Sequence, residues 1–271
     1  MPLEQAFMQR ALAEVILIGV AGGALGCWVV FYGLSYAAES LAHSLFPGLV
    51  IAAIAGVPLL FGAVPAIVVA ALAIAAASRI AGVTRDVAVA VVVTTMFGLG
   101  VLLALSPQSP PGIETLLFGD VFGSTDVDLA TAAGLAVAVG IALWLLHGRL
   151  LVAGFDRGAA RSLGVSPALA DAALLILLAA GIVVAVQGLG NLLVVAVFVG
   201  PAAAASRLTE RMAPMMALAA GLAAIAGIAG LYLSYYAGTA GGASVALAIV
   251  AIYLISLPAG RLATFQRRRR A

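Results

Sequence analysis

The sequence predicts an all-α fold, a polytopic transmembrane helical bundle of about nine spans, and three observations carry that expectation. Hydrophobic residues make up 65% of the 271 positions and the mean hydropathy is +1.23, whereas a soluble domain is roughly half apolar. Apolar stretches able to cross about 30 Å of hydrocarbon, about 20 residues each, recur along the whole chain. Glycine contributes 31 residues and is mixed with alanine inside those stretches, a composition suited to transmembrane helices that approach closely through small side chains.

The spans fall at about 11–31, 38–56, 58–80, 86–105, 127–147, 168–187, 189–207, 213–235 and 243–260, each near the length a bilayer requires. The first is expected to be a retained helix, because Met1 to Arg10 lacks the basic start of a secretory signal and the apolar run after it exceeds a cleavable core. The junctions Gly56 to Pro58 and Gln187 to Gly190 are so short that they demand tight hairpins or leave one neighbour a partial span. Eight full spans is therefore the alternative count. The loop 106–126 opens on turn formers, Ser106-Pro-Gln-Ser-Pro-Pro-Gly112, and continues from Ile113 to Gly119 as a short helix at the membrane surface. A second loop offers Asp156 as an N-cap, a short helix of small residues and a stop at Gly164. No polar stretch is long enough for a soluble domain, so one domain is expected over 1–271.

Charge fixes the expected orientation. All basic residues are arginine, and the chain has no lysine. With nine spans Arg79, Arg85, Arg149, Arg157, Arg161, Arg207, Arg211, Arg261 and Arg267 to Arg270 gather on one side, leaving only Arg10 opposite. The positive-inside rule makes that side cytoplasmic, with the N-terminus outside and the C-terminus inside. The outer loop carries Glu114, Asp120 and Asp126 and no basic residue, with Asp128 just beyond. An even count would scatter the arginines over both faces.

Glu39 and His43 stand out among the few ionisable groups at membrane depth, where such groups are costly and usually functional. Residues four apart share a helix face, so a carboxylate and an imidazole there can grip one ion. That donor pair suits Zn²⁺, Mn²⁺ or Fe²⁺ better than thiolate-seeking ions. Two ligands do not close a site, which is what a transit site that must release its ion requires. The same pair also reads as hydrogen-bonding glue between helices. Depth favours function, because His43 lies ten residues beyond the Gly33 turn, about 15 Å along a helix and so near mid-bilayer.

The other polar residues read more plainly. Glu14 is expected at a solvated helix end near the outer surface, His147 as an interfacial anchor closing the fifth span, and Asp171 as a capping or helix-packing group. Arg267 to Arg270 is an orientation determinant drawn to anionic lipid. The single cysteine, Cys27, is a buried small hydrophobe and offers neither a disulfide nor a thiolate metal site. Without lysine the chain cannot form a Gly-x-x-x-x-Gly-Lys phosphate loop, so it is not expected to hydrolyse ATP.

Read together, these residues resemble the ABC-3 permeases, membrane subunits of bacterial ABC importers for zinc, manganese or iron. The resemblance runs nearly the whole length. Gly26 to Phe31, Leu34-Ser-Tyr36 and Glu39-Ser-Leu-Ala-His43-Ser-Leu-Phe-Pro-Gly48 resemble the family's segment around the second helix, where an acidic residue and a histidine four apart are implicated in passing the metal. Asp86 with Phe97-Gly-Leu-Gly100 resembles the next signature, and Leu117 to Asp120 with Asp128-Leu129 the outer loop. Phe155-Asp156-Arg157-Gly-Ala-Ala160-Arg161 to Leu163-Gly164 is similar to the coupling helix that docks on the ATPase. Gln187 to Gly190, Leu192 to Ala205 around Pro201, and Leu233 to Tyr236 add further matches.

The resemblance implies a type II ABC importer-like permease with its coupling helix at about 155–165 and its outer loop at 106–126. It also implies Glu39 and His43 as metal contacts and no resident cofactor, the divalent ion being cargo. The implied partners are a cytoplasmic ABC ATPase, an extracytoplasmic metal-binding protein, membrane lipid and a second copy of the chain, with no nucleic acid. Three positions depart from the family. Glu39 stands where aspartate is common, which moves the carboxylate by about one bond length and so alters coordination geometry. Tyr32-Gly33 replaces a basic pair, and Gly238 to Gly242 stands where relatives carry an acidic residue. Two other transporter classes stay open at this level, a secondary transporter driven by an ion gradient through Glu39 and an ABC permease for metal chelates.

Overall fold

A computed structural model describes residues 4–268. Residues 269–271, with Arg269 and Arg270 of the basic run, lie outside the described residues, as do the side chains of Arg85 and of 259–268. The described chain is helical throughout: α1 (Ala6–Phe31), α2 (Ser35–Ala55), α3 (Leu59–Ala77), α4 (Arg85–Ala104), α5 (Thr115–Phe118), α6 (Asp126–Phe155), α7 (Arg157–Ser162), α8 (Pro167–Leu189), α9 (Val194–Leu208), α10 (Met212–Ala237) and α11 (Gly241–Arg268). A single 3-10 turn, Val121–Gly123, lies between α5 and α6.

Eight of these helices are long and apolar enough to cross a membrane. The segment expected at 189–207 is the exception. There α8 ends at Gly190, and α9 has 15 residues, about 22 Å at the helical rise and short of a full hydrocarbon core. It still runs from one face of the bundle to the other, because its start is bonded to the 106–126 loop and its end reaches Arg207 beside the α10 start. The chain therefore alternates sides nine times, with eight full spans and one partial one.

Contacts sort the helix ends onto two faces. On one, Arg10 pairs with Asp126 at 2.8 Å and Phe7 meets Phe122 edge to face, so the α1 start and the 106–126 loop are together. On the other, Phe31 packs on Phe155 at 5.4 Å and the Tyr32 hydroxyl donates to the Leu150 carbonyl at 2.7 Å. Tyr32 thus ties α1 to α6. Fifth-span helix α6 is longer than expected, 30 residues. His147 lies inside it, not at its close, and stands edge to face with Trp28 at 5.3 Å.

Helix α1 is the centre of the bundle and packs on α10, α9 and α6. Its glycines let backbones touch: a Cβ on Gly26 would stand 1.7 Å from the Phe198 carbonyl oxygen, and one on Gly23 2.8 Å from that of Ala219. A second group, α2 to α4, closes in the same way. A Cβ on Gly48 would lie 2.1 Å from the Gly62 carbonyl oxygen, and Gly100 accepts the Phe46 ring. Large side chains such as Leu102, Trp144 and Ile255 point outward at 70%, 78% and 71% exposure, the faces a bilayer would cover.

Candidate functional site

Helix α2 is the site's scaffold. Pro47 lies inside it and has no N–H to donate, so the His43 carbonyl four residues back loses its helical partner and the helix is weakened where the candidate ligands sit. Glu39 is exposed and His43 half-buried. Both line one groove of about 580 Å³ whose other walls come from the α8–α9 turn (Leu192), α9 (Val195, Val199) and α11 (Ile249, Tyr253). The structure therefore brings the two together against a wall of small and apolar side chains.

Phe97 of α4 lies 4.7 Å from the His43 ring, centroid to centroid, and 5.5 Å from Phe46, which holds the imidazole from behind. Its Nδ1 is buried and has no hydrogen-bond partner, a cost of roughly 1–3 kcal/mol for an unmet polar group. Among the described residues no group of three His, Cys, Asp or Glu side chains forms a cation site. One copy of the chain thus supplies a carboxylate and an imidazole but no closed coordination shell.

On the opposite face from Arg10, α7 is the helix expected between Asp156 and Gly164. Asp156 accepts from the Gly158 and Ala159 amides at 2.7 and 3.0 Å, and those amides, Ala159 first, hold its carboxyl below the usual carboxylate range. Arg157 forms a two-pronged pair with Asp171 at 2.9 and 3.1 Å. The pair is largely exposed, so it contributes about 0–1 kcal/mol, and the burial of Ala160 against the bundle does more to seat the helix. Phe155 and Leu163 stand out at 79% and 68% exposure, flanking Arg161 as an apolar and cationic knob.

A pH dependence follows from Asp156. Its folded pKa is lowered, so its contribution to α7 is complete above the ordinary carboxylate pKa of about 4 and is lost as pH falls through the lower folded value. Hydrogen exchange, corrected for intrinsic rates, should show the Gly158 and Ala159 amides protected at pH 6 and losing protection below pH 4, whereas Asp156→Ala should leave them unprotected at both.

Two residues take roles that their sequence positions did not suggest. Glu14 is not a solvated helix end. It is 2% exposed and its carboxylate accepts the Ser124 hydroxyl, because the 106–126 loop folds back over the α1 start. Asn191, the only asparagine in the chain, is fully buried with neither amide atom bonded. A lone amide in an apolar run was the available signal. A Cβ on Gly242 would stand 2.4 Å from the Leu189 carbonyl oxygen, so α11 starts in backbone contact with the end of α8.

Comparison with known proteins agrees with this fold. The model of the ABC 3 transport family matches residues 4–259. A manganese transport system membrane protein of Halalkalibacterium halodurans is 33% identical over 220 residues, 80% of this chain and 75% of that one. A manganese import system permease protein of Streptococcus parasanguinis is 31% identical over 216 residues, 80% of this chain and 77% of that one. Among solved structures, PsaBC from Streptococcus pneumoniae in complex with Fab superposes with a TM-score of 0.88 at 28% identity, over 94% of this chain and 92% of the other.

Proposed function

The chain belongs to the ABC-3 transport family, and from that premise we propose that it carries a divalent transition-metal ion, Mn²⁺ foremost, past Glu39 and His43. It is a multi-pass membrane permease subunit of a metal-importing ABC transporter. The observation that carries the proposal is the shared groove: Glu39 and a half-buried His43 line one path, and the imidazole nitrogen Nδ1 is without a protein partner. A carboxylate supplies charge and a neutral imidazole supplies nitrogen, a donor set that accepts Mn²⁺, Fe²⁺ and Zn²⁺. Relatives named for manganese transport favour the first.

The chain is the translocation subunit and not the enzyme of the system. ATP hydrolysis belongs to a separate ATPase, which docks on α7 through Phe155, Arg161 and Leu163. The arginine-rich face is cytoplasmic by the positive-inside rule, which puts the N-terminus outside and the C-terminus inside. An extracytoplasmic binding protein delivers the ion to the acidic face around Ser106 to Asp128. Residues 1–271 act as one permease domain. Two copies pair groove to groove, and this doubles the two ligands that a single copy supplies. Surrounding lipid covers the apolar outer faces.

The test is ATP-driven uptake of Mn²⁺, Fe²⁺ and Zn²⁺ into proteoliposomes holding the chain, its ATPase and its delivery protein. Glu39→Gln and His43→Ala should each lower Mn²⁺ uptake at least tenfold while assembly with the ATPase is retained. Uptake at the parent rate in both variants, or uptake that needs no ATP, would sink the proposal.

A further inference from the structure

The 113–125 segment is a cap with two attachments. On one side it bonds to the α8–α9 turn backbone to backbone: the Asn191 amide donates to Leu116 at 2.8 Å, the Leu192 amide to Leu117 at 3.3 Å, and the Asp120 amide to the Gln187 carbonyl at 3.2 Å. Leu192 is itself part of the wall of the Glu39 and His43 groove. On the other side the cap meets a stripe of α1, Phe7, Arg10 and Glu14, whose spacing of three and four residues places them on one helix face. Phe7 touches Phe122, Glu14 accepts from Ser124, and Arg10 pairs with Asp126 at the start of α6, directly after the cap.

These three contacts are not equal. The side chains of the Arg10 and Asp126 pair are 40% and 82% exposed, so water screens it. Glu14 and Ser124 are 2% and 8% exposed, and a buried hydrogen bond to a carboxylate is among the stronger kinds. Seating the cap also has a cost, because Asn191 lies in the turn it covers with no partner for Oδ1 or Nδ2 of its side chain. Something must hold the cap against that cost.

We propose that Glu14 is a positioning residue of the ion path: its contact with Ser124 latches the 113–125 cap to α1 and thereby fixes Leu192 in the wall of the Glu39 and His43 groove. The latch rests on the reading of that groove as the ion path. Loss of the contact frees the cap to lift from the α8–α9 turn, and the groove then loses its outer wall.

Leu116, a residue of the cap that is only 7% exposed, is the reporter. With Cys27→Ala as background the chain has no other cysteine, so Leu116→Cys gives one thiol that reacts with a water-soluble maleimide only when the cap lifts. In nanodiscs holding the chain with its ATPase, Glu14→Ala and Ser124→Ala should each speed labelling about tenfold, as befits loss of one strong hydrogen bond. Glu14→Gln keeps a carbonyl oxygen for the Ser124 hydroxyl and should stay within twofold of the parent. In proteoliposomes the two alanine variants should move fewer ions per ATP hydrolysed, a ratio that a loss of folded protein leaves unchanged. If Glu14→Ala does not assemble, Ser124→Ala carries the test. Labelling within twofold of the parent in the assembled alanine variants, or Glu14→Gln as fast as Glu14→Ala, overturns the latch. Labelling involves no metal, so this outcome and the uptake result for Glu39 and His43 fail separately.

Discussion

Gly26→Ala is expected to abolish the folded permease. A single methyl added there would stand 1.7 Å from the Phe198 carbonyl oxygen and 2.7 Å from its carbon, so α1 and α9 must part by about 1.5 Å or more before the contact becomes ordinary. Neither partner is a flexible side-chain tip that could swing away. Over-packing of a dense interior costs about 1–3 kcal/mol when side chains absorb it, and here two backbones must absorb it. The damage also reaches the site, because α9 carries Val195 and Val199 of the groove wall. Gly134→Ala is the control: no atom lies within 4 Å of a Cβ built there, and an exposed helical alanine is favoured over glycine by about 1 kcal/mol. Size-exclusion profiles should show Gly26→Ala aggregated or unassembled and Gly134→Ala at parent yield. A monodisperse Gly26→Ala with the parent melting temperature would show that α1 and α9 do not pack backbone to backbone.

The second large effect is expected at Gly190, where α8 stops and the partial span begins. Its φ of 78° and ψ of 151°, like those of Gly119 at 82° and 154°, lie in a region that only glycine enters readily. The two residues also face each other: a Cβ on Gly190 would stand 2.4 Å from the Leu117 carbonyl oxygen, and one on Gly119 2.3 Å from that of Gly188. Gly190→Ala therefore combines backbone strain of about 1–3 kcal/mol with a steric overlap that lifts the cap. At about 2–4 °C of melting temperature per kcal/mol for a chain of this size, a drop of about 10 °C is expected by tryptophan fluorescence. The maleimide reporter at Leu116→Cys should react faster still than in Glu14→Ala, because the seat itself is lost and not only its latch. An unchanged melting temperature would mean that the chain passes this junction by another route.

Gly190 also shows where sequence reading reached its limit. The short junction was visible in Gln187 to Gly190, and so was the choice between a hairpin and a partial span. What no pattern could supply was the partner. The 15 residues of α9 suffice only because the 113–125 cap fills the space above them, and that cap comes from about seventy residues earlier in the chain. Glu14 was misjudged for the same reason. A carboxylate near the start of a first span ordinarily reaches water, and only the folding of residues 121–124 over it makes it buried and bonded. The end of the fifth helix lies beyond His147, at Phe155, because nothing in the local sequence between them breaks a helix.

By itself the sequence determined the quantities that depend on local chemistry. Apolar runs of bilayer length fixed the helices, arginines on alternate loops separated the two faces, Asp156 and Gly164 bounded the short helix α7, and the spacing of Glu39 and His43 placed a carboxylate and an imidazole on one side of α2. The absence of lysine excluded a Gly-x-x-x-x-Gly-Lys phosphate loop. Tertiary structure alone decided which surfaces of those helices meet: that α9 and α11 wall the Glu39 and His43 groove, that Phe97 backs the imidazole, and that α1 holds the outer cap through Glu14. The physical reason is that transmembrane helices are apolar all round, so hydropathy commits each to the membrane but marks no inward face. Packing of small residues selects that face, and contacts between distant glycines and carbonyl oxygens are set by three-dimensional fit, which has no period in the chain.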